Sequence, residues 1–252
     1  MNIVTEIKDW QALRETLSGQ SIGFIPTMGN LHAGHLSLCE RAKTENDLAV
    51  VSIFINPTQF NETTDFERYP RSLEQDLALL SKQSVDFVFC PQPAAMYPDQ
   101  YQFRLIENTL SQELEGEYRP GHFDGMLTVV LKLLNLIQPT RAYFGEKDYQ
   151  QLLLVKKMVA ALFLPIEIIG CTTIRADDQL ALSSRNNRLT AEQRHKAAYF
   201  PKLLHSQNDV NSIRTQLVEL GFRVDYIAEK WQRRLGAVWL DDIRLIDNIP
   251  LN

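Results

Sequence analysis

Two histidines three residues apart, His32 and His35, follow an apolar run that ends at Pro26. Met28, Gly29, Asn30 and Leu31 lead up to the pair, and Ala33 and Gly34 separate it. Gly29 and Gly34 lack side chains, so the backbone can approach a ligand closely there. A helix is expected to open at this point. Its start presents unpaired N–H groups and a partial positive charge, which suit a phosphate. Imidazoles at i and i+3 can address one ligand together. The segment reads as a nucleotide phosphate cradle, with surface histidines on a capped helix as the plainer alternative. Zinc is a poorer match, because no HExxH pattern and no third ligand stand at a recognisable spacing.

Other polar clusters also follow apolar runs. Asn56-Pro57-Thr58-Gln59 is one, Gly145-Glu146-Lys147-Asp148-Tyr149-Gln150-Gln151 a second and Ser183-Ser184-Arg185-Asn186 a third. Lys147 supplies a mobile point charge able to follow phosphate oxygens, unless it only pairs with Glu146 or Asp148. Gln59 and Gln151 are neutral amides that donate and accept, fitting a substrate with hydroxyls and a carboxylate. Ser183, Ser184 and Arg185 combine two hydroxyls with a guanidinium fork. That makes either a phosphate clasp or a capping serine beside a surface arginine. Arg119 and His122 either contact an anionic intermediate or cap the apolar helix that follows them. Tyr69-Pro70-Arg71 is a lid segment or a turn. Nothing near Ser183 or Ser184 in sequence supplies the base of a Ser-His-Asp triad.

These clusters need a scaffold, and the hydrophobic pattern predicts one. Strands are expected at 22–25, 48–55, 85–89, 141–144 and 166–169, and helices at 34–44, 73–82, 125–137 and 148–163. Ser72 with Gln75 reads as a capping box, and Pro139 closes a helix. Such alternation implies an α/β fold: a Rossmann-like parallel sheet with helices on both faces, occupying residues 1–173. Residues 174–252 read as a small C-terminal α+β domain acting as a lid. Its helices are expected near 191–205 and 210–220, and two strands near 222–228 and 237–245. Ligands bind beyond the carboxyl ends of strands in open α/β sheets, so the polar clusters are expected around one crevice.

Composition narrows the class. The net charge of −5 gives no basic field for nucleic acid or an anionic membrane. Three scattered cysteines, Cys39, Cys90 and Cys171, suit reduced buried thiols rather than a disulfide framework. The N-terminus lacks the pattern of a signal peptide, and no apolar run reaches the ~20 residues of a membrane helix. A cytoplasmic, soluble protein is expected.

The motifs, taken together, resemble the pantoate–β-alanine ligase family within the nucleotidyltransferase-like α/β superfamily and its HxGH signature. The matching pieces are the run from Pro26 to His35, Phe54-Ile55-Asn56-Pro57-Thr58-Gln59-Phe60 and Tyr69-Pro70-Arg71. They continue with Gly121-His122-Phe123-Asp124-Gly125 and Phe144 to Gln151, then Ala181-Leu182-Ser183-Ser184-Arg185-Asn186 and Arg244-Leu245-Ile246-Asp247-Asn248. The resemblance implies an AMP-forming ligase that converts pantoate and ATP to pantoyl adenylate, then passes the acyl group to β-alanine. It implies that Met28 to His35, Gly145 to Asp148, Ile174 and Leu182 to Arg185 bind ATP. His35, His32, Lys147, Ser183, Ser184 and Arg185 would serve catalysis, and Gln59, Gln151 and Asn56 would hold substrate. Mg2+ would travel on the triphosphate, its direct ligands being unknown, and the enzyme would be a homodimer.

Two features depart from the family pattern. Gln179 stands where glycine is usual, which opposes a positive φ there. The stretch between Tyr226 and Ala237 is short, which bears on closure of the lid. Two other functions compete with the ligase: a nucleotidyltransferase that stops at a nucleotidylated product, and a nucleotide-binding scaffold without turnover.

Overall fold

The computed structural model describes residues 1–61, 66–67 and 69–251, which include every candidate site residue. The chain divides into two compact units. One comprises Met1–Gly145 and Gln150–Cys171, the other Glu146–Tyr149 and Thr172–Asn252.

The first unit is built on six strands: β1 (Asn2–Val4), β2 (Ile22–Thr27), β3 (Leu48–Ile53), β4 (Phe87–Phe89), β5 (Arg141–Gly145) and β6 (Glu167–Cys171). They form one parallel sheet in the order β1-β4-β3-β2-β5-β6. Both faces are covered, which explains why β2 and β3 read as nearly unbroken apolar runs. One face carries Ile25, Val51 and Val88 against Leu38, Cys39 and Ala42 of helix α2 (Ala33–Glu45) and Leu80 of α3 (Leu73–Lys82). On the chain's first helix, α1 (Ile7–Thr16), fully buried Trp10 packs against Phe87 and Phe89. Its indole donates to Leu136 O at 2.9 Å, in the helix His122–Ile137.

The strand order reverses at β2: successive strands lie on one side of it up to β4 and on the other from β5 onward. Here the ladder parts. β2 pairs with β5 only at Gly23 and Phe24, although it stays paired with β3 through Thr27. Pro26 has no N–H to offer a neighbour, so β2 and β5 separate beyond it. This is the topological switch point at which open α/β sheets bind ligands.

Two local expectations need correction, and two elements were not expected at all. Ser72 precedes α3 but makes no capping bond; its hydroxyl goes to the buried carboxylate of Asp76 at 3.1 Å. The N-terminal β1, of three residues, and α1, whose one buried residue is Trp10, were not among the expected elements. The stretch expected as helix 148–163 is a 3-10 turn over Glu146–Asp148 followed by the helix Tyr149–Ala161.

The second unit packs helices Ala191–Ala197, Tyr199–Leu204 and Val210–Glu219 on an antiparallel sheet of β7 (Arg223–Lys230), β8 (Arg233–Leu240) and β9 (Ile243–Pro250). Phe200, Leu204, Ile213, Leu217, Val238 and Leu240 form its core. Three strands replace the two expected. The 237–245 run crosses a second hairpin tip, with Asp241 at φ 53°. The first tip, Trp231-Gln232, has φ 53° and 59°, a left-handed pair that closes β7 on β8 without the usual Asn-Gly signal. The expected helix 191–205 breaks at Ala198, because Pro201 cannot donate to Ala197 O.

Candidate active site

At the switch point, β2 runs into a turn with Gly29 at φ 80° and Asn30 at φ 50°. Asp76, 2% exposed, holds this turn: its carboxylate accepts the N–H of Asn30 at 2.9 Å and of Leu31 at 2.8 Å. A Cβ on Gly29 would stand 3.0 Å from that carboxylate, so the turn sits tightly on its brace. α2 then starts with a reciprocal cap made by the histidines themselves. His32 Nδ1 accepts the Gly34 N–H at 3.1 Å, and His35 Nδ1 accepts the His32 N–H at 3.4 Å. The rings lie 4.1 Å apart. An amide N–H can only donate, so both Nδ1 atoms are acceptors and each neutral ring carries its proton on Nε2. The cap thereby turns two imidazoles into paired donors at a helix N-terminus.

Beyond β3, a 3-10 turn over Pro57–Gln59 positions Gln59. Asn56 is fully buried and spends its whole amide on the protein. Nδ2 donates to Gln59 Oε1 and Gly125 O, both at 3.1 Å; Oδ1 accepts from Tyr97 at 2.7 Å and Thr58 at 3.1 Å. Burial pushes the Tyr97 phenol above its usual range, so it stays a donor. With its oxygen engaged by Asn56, the Gln59 amide points its nitrogen at Met28 Sδ, 3.1 Å away. The backbone of Gln59 is held too. Arg119 can only donate, so at 3.1 Å it leaves His122 Nε2 an acceptor, and His122 Nδ1–H donates to Gln59 O at 2.7 Å. Arg119 and His122 thus brace Gln59. Helix His122–Ile137 reaches this turn because Gly125 has no side chain: a Cβ there would meet Thr58 O at 2.3 Å.

Gln150 and Gln151 differ in environment. Gln150 is 3% exposed and ties together Leu110 O, Glu113 O and the Glu115 N–H. Gln151 is half-buried on the same helix.

In the second unit, Lys147 lies on the Glu146–Asp148 turn with Nζ 3.6 Å from Asp148 Oδ1. Glu146 is occupied elsewhere, by Arg233 at 2.6 Å. Ile174 and Leu182 are joined by the Leu182 N–H to Ile174 O bond at 3.0 Å, beside an Arg175–Ala181 bridge. Ser183 caps the Ser184–Arg188 turn through the Arg185 N–H, at 3.2 Å. Gln179 takes the left-handed conformation that its side chain was expected to oppose: φ is 68°, and its carbonyl accepts from Arg175 at 2.9 Å.

The sequence profile described as "Pantoate-beta-alanine ligase" matches residues 2–250. A pantothenate synthetase of Coxiella burnetii is 53% identical over 248 residues, covering 98% of this chain and 96% of its own. One from Legionella pneumophila is 51% identical over 252 residues, all of both chains. The chain belongs to the pantoate-beta-alanine ligase family. It is accordingly a ligase. The fold agrees: the Francisella tularensis pantoate-beta-alanine ligase, solved with beta-gamma ATP and beta-alanine, superposes at a TM-score of 0.95. That match has 42% identity and covers 99% of this chain and 97% of the other.

Within this ligase fold, the first unit assembles Met28 with Asn56 and Gln59, and the His32–His35 cap with the 29–31 turn. The second unit joins Ile174 to Leu182 and caps the turn that carries Ser184 and Arg185. The side-chain amide of Asn56, expected to hold substrate, has no polar capacity left over; burial and four internal hydrogen bonds make it the support of Gln59. Residues that sequence reasoning missed are Asp76, Tyr97, Arg233 and the role of Asn248. A signal existed for Asp76, a carboxylate four residues before Leu80 on the buried face of α3. Tyr97 and Arg233 had none.

Proposed function

We propose that this ligase joins pantoate to β-alanine with ATP through a pantoyl-adenylate intermediate, releasing AMP and pyrophosphate. The observation that carries the reading is the His32–His35 cap, which holds two imidazoles with rings 4.1 Å apart at the amide-rich start of α2. A carboxylate acylates amines only once its oxygen belongs to a good leaving group, and AMP supplies one. The pantoate carboxylate oxygen attacks the α-phosphorus and pyrophosphate departs; the β-alanine amine then attacks the acyl carbon and AMP departs. Charge stabilisation and positioning suffice for both displacements, so no enzyme nucleophile is needed.

Roles follow from chemistry and resemblance. Met28 to His35 and Gly145 border the nucleotide, with His35 and His32 stabilising phosphate charge. The resemblance also gives Glu146 to Asp148, Ile174 and Leu182 to Arg185 to the nucleotide, and Lys147 follows the phosphates. Gln59 binds pantoate and β-alanine through the amide nitrogen, which faces Met28 Sδ while Asn56 engages the oxygen; Gln151 also holds pantoate. Mg2+ would neutralise charge on the triphosphate, and its preference for water and phosphate oxygens would call for few direct protein ligands. Among the described residues, no three His, Cys, Asp or Glu side chains cluster as a cage for a metal ion. We assign residues 1–173 to nucleotide and pantoate binding and 174–252 to a lid. A homodimer belongs to the same proposal, supported by Phe103 and Ile106, 76% and 56% exposed on one extended segment. So does a cytoplasmic site of action, which suits three buried cysteines that form no disulfide. Omitting ATP, pantoate or β-alanine one at a time tests the function. AMP, pyrophosphate and pantothenate must require all three; ADP, or a stable nucleotidylated product without amine, would overturn it.

A further inference from the structure

We propose that Asn248, locked by Arg233, is a positioning residue that aims the Lys147 ammonium; the proposal rests on the assignment of Lys147 to phosphate. Asn248 lies on β9 and is 2% exposed. Its Nδ2 donates to Glu146 O at 2.8 Å and Lys147 O at 2.9 Å. Those two carbonyls belong to the peptide planes on either side of the Lys147 Cα. Fixing both planes fixes φ and ψ at Lys147, and with them the direction of its Cα–Cβ bond. The grip is on the backbone and takes nothing from the ammonium, whose contact is with Asp148 Oδ1 at 3.6 Å.

Arg233 makes the grip directional. Its Nη1 donates to Asn248 Oδ1 at 2.7 Å, and a guanidinium cannot accept, so the amide cannot flip. Arg233 Nη2 also holds the Glu146 carboxylate at 2.6 Å, and its guanidinium lies 4.2 Å from the centre of the Tyr149 ring. The turn is thus clasped at residues 146 and 149, and of the two carboxylates flanking Lys147 that of Glu146 is paired away from it, which leaves Asp148 beside the ammonium. Below, the Asn248 N–H donates to Asp247 Oδ1 at 2.7 Å, while Arg175 holds Asp247 with two bonds of 2.7 and 2.8 Å. One hydrogen-bonded column therefore runs from Arg175 to the Lys147 turn. It gives the terminal Asp247-Asn248 motif a physical role.

The test is a double-mutant cycle on the full-length enzyme, reading pyrophosphate release in a single turnover, KM for pantoate and thermal midpoint. Asn248→Asp keeps the shape but faces two carbonyls with an oxygen; Asn248→Ser removes the bonds without adding charge. Each should slow adenylation about 10- to 100-fold, the scale of a displacement near 1 Å, and leave KM for pantoate within twofold. Added to Lys147→Ala, either should cost less than twofold more, because the group it aims is gone. Full additivity, or a loss of rate that only tracks the thermal midpoint, overturns the proposal. A Lys147→Ala enzyme with wild-type turnover instead rejects the assignment of Lys147 itself. If Asn248→Asp does not fold, Asn248→Ser carries the same two comparisons.

Discussion

Gly125→Ala is the smallest change that should separate activity from stability. An added Cβ would lie 2.3 Å from Thr58 O, 2.5 Å from Thr58 C and 2.8 Å from Gln59 N. Ordinary carbon contacts need about 3.5 Å, so helix and turn must part by roughly 1 Å. The helix is anchored by the buried Met126, Leu127, Val130 and Leu134, so the Pro57–Gln59 turn gives way. That turn carries Gln59, and the bond from Asn56 to Gly125 O is disturbed with it. Alanine returns about 1 kcal/mol of helix propensity, while overpacking costs about 1–3 kcal/mol. Net destabilisation should be at most about 2 kcal/mol. Misplacing a substrate-positioning group by ~1 Å costs about 10²-fold, so kcat/KM for pantoate should fall on that scale at saturating ATP. Urea denaturation supplies the stability, and initial rates against pantoate supply the activity. A variant with wild-type kcat/KM for pantoate would refute the role given to this close approach.

Three further outcomes follow from the geometry. Asp76→Asn should cost about 1–3 kcal/mol in urea denaturation, since an amide nitrogen must replace one oxygen that accepts Asn30 or Leu31; unchanged stability would remove Asp76 as the brace. Burial pushes the Cys39 thiol up to about 12 and the Cys90 thiol up to about 11. The unfolded chain releases these protons from about pH 8.5, so stability is full below that and falls as pH rises towards 11–12. Cys39→Ala should flatten the fall, and a flat wild-type profile from pH 8.5 to 11 would contradict the burial account. Gln179→Gly should stabilise by about 0–1.5 kcal/mol, as relief of a left-handed residue (about 1–2 kcal/mol) at least matches the entropy cost of glycine (about 0.5–1 kcal/mol); a lower urea midpoint would contradict strain at φ 68°.

The parallel sheet was legible because strands buried on both faces write long apolar runs, as at β2 and β3. Phosphate-binding candidates were legible because glycine, histidine and lysine cluster where such runs end. What stayed hidden depends on tertiary partners. Ser72 looked like a cap until Asp76 claimed its hydroxyl, and Asn56 looked like a substrate ligand until Tyr97, Thr58, Gln59 and Gly125 took its amide. Local spacing could not reveal that Asn248 reaches back a hundred residues to the Lys147 turn. Hairpin tips at Trp231-Gln232 and Asp241-Asp242 escaped because their left-handed residues are not glycines.

Oxygen tracing tests adenylation most directly. With pantoate labelled with 18O in its carboxylate, ATP and β-alanine, attack on the α-phosphorus must leave one labelled oxygen in AMP. The account predicts AMP carrying that single 18O and unlabelled pyrophosphate. Unlabelled AMP, or label in inorganic phosphate beside ADP, would contradict it.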